Sequence, residues 1–150
     1  LSVVALGFGT GLIGVAELAG EGLTALWSDR IGLRRALMIG LVATLVGYAL
    51  LPLFGQTLIS TMIGLFGLFL CFEFTLVTSL SLSTEILPSA RATMMASFFA
   101  AAGLGRVVGA IVGGQVWLSG GIWGTGLVSA GMNGLALIAL LWGLRGWKRA

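Results

Sequence analysis

The sequence contains no histidine and only one cysteine, Cys71, which lies in an apolar run. A lone cysteine excludes a disulfide framework within the chain, and the lack of histidine removes most familiar metal sites. Residues that would pair as nucleophile and base are also missing, so the chain is not expected to be an enzyme, and no cofactor is expected.

Charged residues are also scarce, since they make up only 9% of the chain while 58% of its residues are hydrophobic. Soluble domains carry about 25% charged residues, so this chain cannot cover a water-facing surface and is predicted to lie in a lipid bilayer. The 25 glycines fit that prediction, because small residues let membrane helices approach closely. The net charge of +3 does not indicate nucleic-acid binding, since the basic residues lie at the ends of apolar runs.

Five apolar runs are each long enough to cross about 30 Å of hydrocarbon as a helix. The sequence therefore predicts an all-α membrane protein with five transmembrane helices. Because the chain begins with Leu1, inside an apolar run, we expect it to be a fragment of a longer protein. The predicted helices are 1–27, 36–54, 57–85, 92–119 and 122–144.

Basic residues follow alternate connections between these runs. Seven of the eight lysines and arginines fall on the first connection, the third connection or the tail. These seven are Arg30, Arg34, Arg35, Arg91, Arg145, Lys148 and Arg149. Positive residues favour the cytoplasmic side, so the pattern predicts a multi-pass protein of the cell (inner) membrane with a cytoplasmic C-terminus.

The connection after the first run reads Asp29-Arg30-Ile31-Gly32-Leu33-Arg34-Arg35. It resembles the signature loop of the major facilitator superfamily, roughly G-x-L-x-D-R-x-G-R-[RK]. The matching residues are Asp29, Arg30, Gly32 and Arg34, whereas Ala25, Trp27 and Leu33 depart from the pattern. Such departures are typical of the second copy of the motif, in the C-terminal half of these transporters.

Physical properties of this connection suit a cytoplasmic gate or latch. Asp29 can accept hydrogen bonds from a helix N-terminus, and Gly32 permits a sharp bend. The arginines can pair with lipid phosphates or with carboxylates such as Glu85. The alternative is that the arginines only set the topology.

A second resemblance lies farther along the chain. The stretch Glu85-Ile86-Leu87-Pro88-Ser89-Ala90-Arg91 is similar to the turn after the tenth helix of the superfamily, and the glycine-rich run after it to the eleventh helix. In that run Gly105, Gly109 and Gly113 recur every fourth residue and are expected to pack against a neighbouring helix. The resemblance implies that the five runs are helices eight to twelve, and that the partner is the missing N-terminal half.

Four ionisable residues lie inside the apolar runs: Glu17, Glu21, Glu73 and Arg106. Twelve residues separate Glu17 from Asp29 and Glu73 from Glu85, which is about 18 Å of helix. We therefore expect Glu17, Glu73 and Arg106 near the bilayer midplane, where such transporters bind substrate. Glu17 and Glu73 are predicted proton or cation-substrate sites, with Arg106 as the partner of one of them. Glu21 is expected instead to line the cytoplasmic half of the pathway. The alternative is a structural ion pair.

The resemblance implies a secondary active transporter, proton-coupled, that exports a small organic solute by alternating access. The alternative function is a non-transporting receptor or scaffold with the same fold. Asn133, in the fifth run, is predicted to make a helix–helix hydrogen bond rather than to bind a ligand.

Overall fold

The computed structural model describes residues 3–146, and within them the ordered elements are all helical, with no strand. The predicted all-α class is thus confirmed, while Lys148 and Arg149 of the basic tail lie outside the described residues. In chain order the elements are α1 (Val3–Leu23), a π-helical turn (Thr24–Ser28), α2 (Asp29–Ile31), α3 (Leu33–Phe54), α4 (Leu58–Ile86), a 3-10 turn (Pro88–Ala90) and α5 (Arg91–Gly143).

The first connection is a single residue, Gly32. Its φ of 86° and ψ of 131° interrupt the helix, and only glycine adopts this conformation readily. The Gly32 carbonyl accepts from the Ala36 amide at 2.9 Å, so α3 begins immediately afterwards. The turn is narrower than the sequence pattern predicts, since Arg34 and Arg35 already belong to the first turn of α3. Arginine is a good helix former, and only the glycine breaks the helix.

Side-chain hydroxyl groups form hydrogen bonds to the backbone of the short connection between α3 and α4. Thr57 caps α4 by accepting from the Ser60 amide at 3.2 Å, and the Ser60 hydroxyl accepts from the Thr57 amide at 3.1 Å. The Ser60 and Thr61 hydroxyls also donate to the Phe54 carbonyl, at 2.7 and 3.1 Å. These bonds satisfy backbone groups that a helix end leaves without partners.

Helices α3 and α4 approach each other closely at Gly40. A Cβ atom on Gly40 would lie 2.5 Å from Thr75 Oγ1, so a larger side chain does not fit between the helices. One turn farther, the hydroxyl oxygens of Thr44 and Thr75 lie 3.2 Å apart, and both residues are buried. Small and polar residues thus form this interface, as is common between membrane helices.

Helix α5 bends sharply at Gly121, whose φ of 55° and ψ of −145° are not helical. A Cβ atom on Gly124 would lie 3.3 Å from the Val116 carbonyl oxygen. Residues eight apart in a straight helix are separated by about 12 Å along the axis. The helix therefore consists of a first arm, 91–120, and a second arm, 122–143, with the bend in the Gly120-Gly121 pair.

The second arm runs antiparallel to α3. Asn133 Nδ2 donates to the Leu41 carbonyl at 2.6 Å, which confirms the predicted helix–helix hydrogen bond. Nearer the bend, a Cβ atom on Gly126 would lie 2.8 Å from the Tyr48 carbonyl oxygen. At the other end an apolar cluster joins α3, α4 and the segment after the second arm; its buried members are Leu33, Leu37, Leu41, Leu82 and Leu144.

The described residues contain four helical stretches long and apolar enough to cross a membrane: Val3–Ile31, Leu33–Phe54, Leu58–Ile86 and Pro88–Gly143. The last has 56 residues, roughly 80 Å of helix, and a hydrocarbon core is about 30 Å thick. Large apolar side chains are exposed along these helices, among them Phe8, Leu18, Ile59 and Ile111. Lipid is the surrounding that suits such a surface.

Candidate functional site

Helices α1 and α4 cross in direct backbone contact at Gly20. A Cβ atom on Gly20 would lie 2.7 Å from the Leu70 carbonyl oxygen and 3.0 Å from the Phe74 amide nitrogen. The Thr24 hydroxyl donates to the Gly20 carbonyl at 3.0 Å and lies 3.4 Å from the Phe74 carbonyl oxygen. Because backbone atoms line the contact, neither helix can move aside for a larger residue.

Three carboxylates surround this crossing, and we call Glu17, Glu21 and Glu73 the acidic cluster. Glu73 Cβ lies 2.9 Å from the position of a Cβ on Gly20, and Glu17 and Glu21 lie three residues before and one residue after Gly20 on α1. Glu17 and Glu73 are half-buried, whereas Glu21 is exposed. The structure therefore places the α1 segment that carries Glu17 and Glu21 against the part of α4 that carries Glu73.

Arg106 is not part of the acidic cluster. It lies on the first arm of α5 and is exposed. Within residues 3–146, no ion pair joins its guanidinium group to a carboxylate. The sequence predicted a depth for Arg106 similar to that of Glu17 and Glu73, but the first arm does not bring it to them. In the described part of the chain, the acidic cluster thus has no basic partner.

The acidic cluster is also not a metal centre by geometry. Among the described residues, no three carboxylate or thiol side chains are grouped closely enough to hold a metal ion. A single carboxylate can still exchange a proton or pair with an organic cation. The chemistry open to this site is therefore proton transfer and cation binding.

A buried polar interior, not predicted from the sequence, lies beside the acidic cluster. Its buried members on α3 and α4 are Thr44, Thr75 and Thr78, and Thr24 and Ser28 belong to the π-helical turn. Thr78 is fully buried, and its hydroxyl has no hydrogen-bond partner among the described residues. The spacing of Thr75 and Thr78, on one face of α4, was the signal that could have revealed this interior.

Most residues predicted to form the gate lie at one end of the bundle, around the apolar cluster of α3 and α4. Arg34 and Arg35 follow Leu33 of that cluster, and Glu85 precedes Ile86, which packs against it. Arg34 and Glu85 are half-buried. The exposed residues of the set are Asp29, Arg30, Arg35 and Arg91, and Gly32 is the pivot between α2 and α3.

Gly105, Gly109 and Gly113 do not pack against a helix of the described chain. A Cβ atom at each position would have no neighbour within 4 Å, and no residue of the first arm is buried. The glycines that do meet another helix closely include Gly20, Gly40, Gly64 and Gly126. Regular spacing alone therefore did not identify the contact glycines of this structure.

Replacing Gly20 with alanine is expected to destabilise the protein by about 1–3 kcal/mol, because the methyl group would collide with backbone atoms of α4. Gly22 is the matched control, since a Cβ there meets nothing within 4 Å. Its replacement by alanine should be neutral or stabilising by up to about 1 kcal/mol, given the higher helix propensity of alanine. Thermal unfolding midpoints in detergent measure both changes, and equal midpoints would contradict the close crossing.

Comparison with protein-family models, curated proteins and solved structures finds no match to this chain.

Proposed function

We propose that this chain is part of the C-terminal half of a proton-coupled secondary transporter of the major facilitator superfamily, which exports a small organic solute. The observation that supports the proposal best is the acidic cluster at the crossing of α1 and α4. The resemblance of the Asp29–Arg35 connection to the superfamily signature supplies the family. The alternative is a receptor or scaffold that binds without transporting.

The free-energy cost of placing a charged side chain in a membrane explains why the acidic cluster supports proton-coupled transport. An ionised side chain at the centre of a bilayer costs at least about 2.5–3.5 kcal/mol on insertion scales, so such residues are kept for a function. Glu73 has two carboxylates nearby and no basic partner among the described residues. Binding a proton or a cationic solute offsets this cost, and release on the other side of the membrane completes a transport step.

The basic residues at one end of the bundle support both a cytoplasmic gate and an orientation in the membrane. Basic residues gather with Glu85 at the end of the bundle marked by the apolar cluster of leucines, and the positive-inside rule assigns that end to the cytoplasm. Gly32 gives α2 and α3 a pivot there, so the Asp29–Arg35 connection can latch the cytoplasmic side. The two arms of α5 then form the fourth and fifth spans, and the exposed first arm packs against the N-terminal half of the same protein.

Transport by the full-length protein tests the proposal directly, with ethidium as a cationic probe. In proteoliposomes with an imposed proton gradient, we expect ethidium to accumulate against its concentration gradient. Nigericin, which collapses the proton gradient, should abolish the accumulation, and protein-free liposomes provide the background. Saturable ethidium binding without flux would contradict the proposal and favour the receptor or scaffold.

A further inference from the structure

A cleft of about 310 Å³ lies between α3, α4 and the second arm of α5, and it shares no residue with the acidic cluster. Its apolar lining consists of four leucines, Phe72 and Ala136, and no ionisable side chain contributes to it. Four polar side chains also line it: Thr44, Thr75, Ser79 and Asn133. An apolar pocket with a few converging polar groups is the usual form of a small-molecule site.

The hydrogen bonds in the cleft leave the side-chain oxygen of Asn133 without a donor. The hydroxyls of Thr44, Thr75 and Ser79 donate to backbone carbonyls within their own helices, at 2.8, 2.6 and 2.7 Å. Asn133 Nδ2 donates to the Leu41 carbonyl, which can only accept, so this bond fixes the orientation of the amide. Asn133 lines the cleft, and its Oδ1 has no hydrogen-bond partner among the described residues.

Because Asn133 lies deep in the second arm, leaving its Oδ1 without a hydrogen bond is energetically costly. Ten residues, or about 15 Å of helix, separate it from Gly143 at the end of the second arm. If the second arm spans the bilayer, Asn133 lies at the depth of the hydrocarbon core, which holds little water to bond a carbonyl oxygen. A ligand that brings a donor to Asn133 Oδ1 would remove the cost of leaving it unpaired.

We propose that this cleft binds an uncharged, membrane-soluble ring compound that carries one O–H or N–H donor, with the donor bonded to Asn133 Oδ1. The leucine and phenylalanine walls suit flat or alicyclic apolar rings, and the lack of charge in the lining excludes an ionic ligand. A lipid acyl chain has no donor and would leave the asparagine unpaired. The proposal does not depend on transport, because the cleft is separate from the acidic cluster.

The fluorescent probe 1-aminoanthracene tests the proposal with the full chain in lipid nanodiscs, and anthracene is the matched probe without a donor. We expect saturable binding of 1-aminoanthracene, with anthracene binding about three- to tenfold more weakly, as the loss of one hydrogen bond requires. Asn133→Leu should reduce the affinity for 1-aminoanthracene to that for anthracene. Ser129→Leu makes the same kind of change one turn earlier, outside the cleft, and should have no effect.

Ala136→Phe should abolish saturable binding of both probes, because the added ring fills the cleft. The comparison of the two probes on the unmodified protein requires no variant and thus does not depend on how the variants fold. Equal affinities for the two probes would overturn the role of Asn133. Fluorescence that rises only in proportion to probe concentration would overturn the site, because it would show that the probe only partitions into the lipid.

Discussion

Replacing Glu73 with glutamine in the full-length protein is expected to abolish proton-driven ethidium accumulation, down to the level of protein-free liposomes. Glutamine has nearly the same shape and still fits beside Gly20, but it cannot bind and release a proton or carry a negative charge. Glu17→Gln should have the same effect, since Glu17 and Glu73 lie at similar depth on either side of the crossing.

Two further measurements separate the loss of coupling from misfolding. Glu73→Asp keeps the carboxyl group and should retain part of the transport. Ethidium counterflow, which exchanges solute without net proton movement, should persist in Glu73→Gln if this carboxylate carries only the proton. Counterflow should disappear in a folded variant if Glu73 also binds the cation. Normal accumulation in both Glu73→Gln and Glu17→Gln would contradict the role of the acidic cluster.

Hydropathy and breaker residues predicted the fold class and the places where the chain turns. The breaks at Gly32, at Gly55-Gln56 and near Gly121 all lie in connections seen in the sequence. The ends of the helices were less predictable, because charged residues with good helix propensity do not end a helix. Thus α3 includes Arg34 and Arg35, which the sequence pattern had placed in the turn.

The sequence predicted how far along each helix the candidate residues lie, but not which neighbouring helix each side chain meets. The helical rise predicted a common depth for Glu17 and Glu73, but a rise says nothing about which helices are neighbours. For the same reason Arg106 has a matching depth but no carboxylate partner in the described chain.

Glycine packing shows the same limit of sequence patterns. The regular series from Gly105 to Gly113 meets open space, whereas the isolated Gly20 and Gly40 lie at helix crossings. A small residue permits a close approach, but the approach also requires a partner helix on that side. The positions of such partners depend on long-range packing, which a periodic pattern within one helix does not contain.

Replacing Gly121 with alanine is expected to straighten α5 and separate its two arms. At φ 55° and ψ −145° an alanine would be strained, at a cost of about 1–3 kcal/mol, and a continuous helix would relieve that strain. Gly120→Ala is the control, since this neighbouring glycine does not have a positive φ. It should leave the bend intact.

A disulfide across the bend measures this effect. In a Cys71→Ser background, cysteines at positions 116 and 124 should cross-link on mild oxidation, because the structure places these residues in contact. In Gly121→Ala the two positions would lie about 12 Å apart along a straight helix, beyond the reach of a disulfide. Equal cross-linking in Gly121→Ala would show that the bend does not need this glycine. If the double-cysteine protein with Gly121 unchanged does not cross-link, the bend itself is contradicted. The bend is what lets the second arm return along α3 to the apolar cluster at Leu33, so losing it should also remove that packing.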